Sequence, residues 1–138
     1  MVLSESQFLG VLALEKRRLE RSGRPFVVVQ ISAPSLFVGG LSGRTQKRSL
    51  RLFTSSSRQT DVIGWIDAGQ VLGVICTELG SHEEAAAGKA ILEKLENLVR
   101  KNLAPSCVSE MRLSLEVHAS AARSMSNFDQ HRAVQLVP

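Results

Sequence analysis

Arg58 and Asp61 form an Arg-x-x-Asp segment just ahead of an apolar run, and Asp67 opens the turn Asp67-Ala68-Gly69-Gln70 that separates this run from a second one starting at Val71. A guanidinium can grip a phosphate or a guanine edge through two parallel hydrogen bonds, and a carboxylate can accept from the N–H groups of a base. The plainer role for such a pair is an arginine at a helix end beside a surface carboxylate, worth at most ~1 kcal/mol. Asp67 has a plainer role too, since Asp in an Asp-x-Gly turn commonly bonds the turn backbone. Holding a hard divalent cation would require several carboxylate oxygens together. Residues 67–71 offer one carboxylate, followed by Ala68, Gly69, Gln70 and Val71.

Other chemistry-bearing residues are scattered. His82, His118 and His131 fall in no metal or triad spacing, and Cys76 and Cys107 form no paired motif. Both cysteines read as free structural thiols. The segment 39-GGLSGRT-45 fails as a phosphate loop, because Val38 stands where a glycine is needed and Arg44 replaces the lysine. It reads as a connector. Arg44, Lys47, Arg48, Arg51 and Arg58 are the densest positive charge, with a second basic run from Lys16 to Arg24. No aromatic residues interleave with them to stack bases, which argues against nucleic-acid binding and for solvated helix faces.

The elements that must position these residues come from one domain, residues 1–138. The chain is 43% hydrophobic, enough for a core, and 17 basic against 13 acidic residues give a mild charge of +4. No run reaches the ~18 apolar residues that would span a membrane. The first residues lack a secretory pattern, so the expected location is the cytoplasm.

Residues 5–21 read as an amphipathic helix with Ser4 as N-cap, Phe8, Leu9, Leu12 and Leu19 on one side, and Gly23 and Pro25 at its end. Residues 26–32 form a continuously apolar strand, covered on at least one face. A loop over 33–43 leads to a basic helix over 44–57, with Leu50 and Phe53 and either Leu41 or Leu52 as its stripe. Strands over 61–67 and 70–78 form the hairpin, with Trp65 as a packing residue. A helix follows over 81–103, with Ser81 and Glu84 as a capping box and Ala86, Ala90, Ile91, Leu95, Leu98 and Val99 facing inward. Pro105 marks its exit. Residues 111–119 alternate as a half-exposed strand, and 119–138 is a less regular tail in which Phe128, Val134 and Leu136 pack or form a short last strand. The order predicts an α+β fold: a ferredoxin-like βαββαβ antiparallel sheet, preceded by an N-terminal helix, with helices on one face.

This order, with 21-RSGRPFVVV-29, 58-RQTD-61 and the ungapped strand into 67-DAGQV-71, resembles the diguanylate cyclase (GGDEF) family over roughly residues 5–119. The resemblance implies that residues 67–71 occupy the Gly-Gly-Asp-Glu-Phe signature, in degenerate form. It places Ser32-Ala33-Pro34 at the family's metal-binding strand end, without a carboxylate, and Trp65 where the family usually has an Arg. The expectation is therefore a protein that is not an enzyme, with no catalytic residue, metal site or cofactor. It also implies a cyclic di-GMP site at Arg58 and Asp61, because the family can bind its product through an Arg-x-x-Asp at this five-residue interval. The expected role is a binding or regulatory module in bacterial signalling or exopolysaccharide control, with a protein partner or self-association. The alternative is a protein–protein or homodimerisation module with no nucleotide ligand.

Overall fold

The structure is a computed structural model and describes residues 2–33, 43–79, 84–103, 105–119 and 131–135. Its first element is a two-residue strand, β1 (Val2–Leu3), followed by helix α1 (Glu5–Ser22). Ser4 caps α1 in a reciprocal box. Its hydroxyl accepts from the Gln7 amide at 3.3 Å, and the Gln7 side-chain oxygen accepts from the Ser4 amide at 3.0 Å. At the other end Gly23 adopts φ 72 and donates its N–H to the Leu19 carbonyl at 2.8 Å. A left-handed residue there stops the helix and favours glycine.

After this turn come β2 (Phe26–Ser32), α2 (Gly43–Ser56), β3 (Val62–Asp67), β4 (Val71–Cys76), α3 (Glu84–Asn102), α4 (Pro105–Glu110), β5 (Arg112–His118) and β6 (His131–Gln135). The sheet order is β1-β3-β4-β2-β5-β6. The middle four strands are the expected ferredoxin-like βαββαβ core, with every neighbouring pair antiparallel. β1 extends one edge parallel to β3, and β6 extends the other antiparallel to β5. β6 is the short last strand expected in the tail; Phe128 and Leu136 lie outside the described residues.

The sheet is covered on both faces, which corrects the expectation of helices on one. Val27, Val29 and Ile31 of β2 join Leu72, Val74, Leu113, Leu115 and Val117 in the larger core, with Phe53 of α2 and Leu92, Leu95 and Val99 of α3. Phe26 and Val28 point the other way, where they pack with Ile75 and Phe8 of α1. The continuous apolar run of β2 has this double burial as its cause. Phe8 is the one fully buried residue of α1, and Leu9, expected inside, is 45% exposed.

Phe8 reaches the sheet because two glycines make room for it. Gly64 of β3 lies opposite Gly73 of β4. A Cβ on Gly64 would come within 2.7 Å of the Phe8 ring, and one on Gly73 within 2.6 Å.

Helix α3 turns Ile91, Leu95, Leu98 and Val99 toward the core as expected, and departs from expectation at its two alanines. Its buried residues are Glu84, Ala87, Gly88, Leu92, Leu95 and Val99, while Ala86 and Ala90 are exposed. Gly88 lets Leu115 approach, since a Cβ there would meet the Leu115 side chain at 2.8 Å. Helix α3 ends at Asn102, so Pro105 lies just past its exit as expected, and it also begins α4, in keeping with the fitness of proline for a first helical position. Ser81 of the expected capping box, and residues 34–42 of the expected loop, lie outside the described residues. No described helix is long and apolar enough to cross a membrane.

Candidate functional site

Arg58 and Asp61 sit in the turn between α2 and β3, and the backbone there is closed reciprocally. The Asp61 amide donates to the Arg58 carbonyl at 3.0 Å, and Asp61 Oδ2 accepts from the Arg58 amide, also at 3.0 Å. The Arg58 guanidinium does not pair with Asp61. Its Nη1 donates to the carbonyl of Glu78 at 2.9 Å, tying the turn to the exit of β4. The carboxylate thus shapes the chain, and the guanidinium braces the neighbouring strand end.

Behind this turn is a small cavity of about 50 Å³ lined by Arg58, Asp61, Cys76, Lys94 and the apolar residues Val74 and Leu95. Asp61 Oδ1 is buried in this region without a conventional hydrogen-bond partner. The Cys76 thiol is its neighbouring weak donor. Burial first, and then the charge of Asp61, push Cys76 from its ordinary 9.0 up to about 12. Cys76 is therefore a neutral thiol facing a carboxylate. Lys94 of α3 reaches the same region and donates to the Ser56 carbonyl at 3.4 Å. Sequence spacing did not reveal Cys76 or Lys94 here, because only the packing of β4 and α3 brings them to the turn.

The hairpin turn lies at the far end of β3. The Gln70 amide donates to the Asp67 carbonyl at 2.9 Å, and Gly69 has φ 74. A positive φ at the third position of a four-residue turn is the type II pattern, which glycine satisfies. Asp67, Ala68 and Gln70 are exposed, and Gly69 and Val71 half-buried. The carboxylate that engages this turn is Glu5 of α1, whose Oε2 accepts from the Ala68 amide at 3.3 Å. Asp67 and Asp61 occupy opposite ends of β3, so the two candidate sites are separate.

Among the described residues no three His, Cys, Asp or Glu side chains gather as metal ligands. Ser32 ends β2, Ala33 follows it and is buried, and Pro34 lies outside the described residues. Lys47, Arg48 and Arg51 are exposed on α2. Cys76 and Cys107 are both free. His82 lies outside the described residues. His118, expected at the surface, is half-buried and stacks on Phe26 with ring centroids 4.5 Å apart. Burial holds its pKa below the ordinary 6.5, although the touching Glu116 carboxylate acts in the opposite direction. Trp65 is partly buried against the larger core, the packing role expected of it.

Comparison with solved structures adds the relatives of this architecture. A DGC protein from Thermotoga maritima superposes with a TM-score of 0.62 at 13% identity, over 86% of this chain and 82% of that one. The diguanylate cyclase SiaD from Pseudomonas aeruginosa, solved in complex with its activator SiaC, superposes with a TM-score of 0.59 at 18% identity. The match spans 91% of this chain and 52% of SiaD. The fold is GGDEF-like. No family model matches the chain, and no curated protein matches it.

These relatives correct one expectation. The sequence of the signature turn led to the reading that the chain is not an enzyme, yet the GGDEF-like fold is shared with proteins that are diguanylate cyclases. The reading rested on the residues of that turn and on Ser32-Ala33-Pro34, which bring no cluster of carboxylates, while the fold around them is shared with these cyclases.

Proposed function

We propose that this GGDEF-like domain is a signalling module that binds cyclic di-GMP at Arg58 and Asp61. The observation that carries the reading is the buried Asp61 Oδ1, an acceptor with only the weak Cys76 thiol as neighbour, at a small cavity that Arg58 also lines. A guanine edge presents two N–H donors to a carboxylate and acceptors to a guanidinium. The cavity is far smaller than a dinucleotide, so the ligand would lie along the surface and insert one base edge. Arg58 would exchange its bond to the Glu78 carbonyl for the ligand.

Calorimetric titration with cyclic di-GMP tests this reading. Wild type should bind saturably, and Arg58→Ala should bind at least about 10-fold more weakly, a loss of roughly 1.4 kcal/mol. Absence of heat from the wild type would remove the reading. The same preparations incubated with GTP and Mg²⁺ report whether the domain also makes a dinucleotide.

A second reading, a docking module for a protein partner, draws on SiaD, which was solved with a protein activator. Leu9 and Leu14 of α1 expose apolar surface, at 45% and 41%. Light scattering across a concentration series measures self-association directly.

A further inference from the structure

The GGDEF-like domain has a second, larger concavity away from the Arg58 turn. It lies between the C-terminal half of α1, the turn into β2, and the exit of β4, and encloses about 590 Å³. This is the size of pockets that hold small organic ligands and is far more than a free inorganic anion needs. Arg18, Arg21 and Arg24 all line it. Arg18 is engaged with Glu15 at 2.7 Å. Arg21 and Arg24 have no carboxylate partner among the described residues.

The turn carrying these two arginines is fixed before any ligand arrives. Ser22 Oγ donates to the Arg18 carbonyl at 2.7 Å and accepts from the Arg24 amide at 3.2 Å. Gly23 closes the helix onto Leu19. The helix dipole explains why cations are comfortable at this end of α1, but it does not account for a concavity of this volume in front of them. Thr77 and Glu78 also line the concavity and offer acceptors for hydroxyl and amino groups. Glu78 is anchored by Arg58 through its carbonyl. Leu14 and Pro25 give the pocket an apolar side.

We propose that this pocket binds a phosphomonoester of nucleoside size. The phosphate sits on Arg21 and Arg24, a flat organic group lies against Leu14 and Pro25, and hydroxyl or amino donors meet the Thr77–Glu78 wall. Two guanidiniums converging on one phosphate give charge-assisted, bidentate bonds, the strongest kind available at a surface. The site goes beyond the Arg58–Asp61 reading and does not depend on it.

The test is an amide-resolved NMR titration of the full chain with adenosine monophosphate, run beside adenosine and inorganic phosphate alone. The nucleotide should shift the amides of residues 22–24 saturably. Adenosine and phosphate should each bind at least about 10-fold more weakly, as should the nucleotide to the Arg21→Ala, Arg24→Ala double variant. Both arginines are exposed, so the double variant should retain the wild-type spectrum elsewhere. The proposal is overturned by an absence of saturable shifts, by equal binding to the double variant, or by shifts gathered at residues 58–61. Cyclic di-GMP titrated in parallel reports on residues 58–61, so failure of one site is distinguishable from failure of the other.

Discussion

Asp61 closes its own turn with one carboxylate oxygen and presents the other, buried, toward Cys76. The neutral thiol this produces has consequences that can be measured. Cys76 should resist alkylation in the folded protein at pH 8, while the half-buried Cys107 reacts first; mass spectrometry of partly labelled protein distinguishes them. The raised pKa also fixes a sign. Below pH 9.0 the thiol is protonated in folded and unfolded chains alike, and this contribution to stability is complete. Between 9.0 and about 12 the unfolded thiol ionises and the folded one does not, so stability falls as pH rises. Urea melts at about pH 8 and about pH 10.5 should show a larger loss for wild type than for Cys76→Ala. Of this site, Arg58 and Asp61 were legible as neighbours in sequence. Cys76 and Lys94 were not, because 15 residues separate Asp61 from Cys76 and the sheet alone closes that gap.

At the scale of elements, the Gly64–Gly73 pair decides where α1 lies. Two glycines facing each other across antiparallel strands leave a flat notch, and the Phe8 ring fills it. Gly73→Ala should destabilise the protein by about 2 kcal/mol in urea denaturation, since the new methyl meets both Phe8 and Ile66. Phe8→Leu in the same chain should recover part of the loss, and a double-mutant cycle reads the coupling. At the cap, Ser4→Ala should cost about 1 kcal/mol. The βαββαβ core was legible because its strands and helices are long enough to show their periods. β1 spans two residues and α4 six, too short for any period to declare itself. On α3 only Ala86 and Ala90 were misplaced inward, because alanines satisfy either face, while Leu115 selects Gly88 by shape.

Across the whole molecule, β2 belongs to both cores, so neither layer can melt without exposing it. Far-UV circular dichroism, which follows the helices on both faces, should therefore give the same urea midpoint as Trp65 fluorescence, which reports the larger core. An earlier loss of helicity would show α1 to be an independent unit. α1 also joins the two ends of the domain. Its first residue, Glu5, holds the Ala68 amide of the hairpin turn, and its last turn and the residues just past it carry the arginines of the larger pocket. Phe8, seated in its notch, lies roughly 4.5 Å along the helix axis from Glu5 and roughly 21 Å from Ser22. Val11, Leu12 and Leu19 pack on the same small core as Phe8, so α1 is held along its length between these two ends.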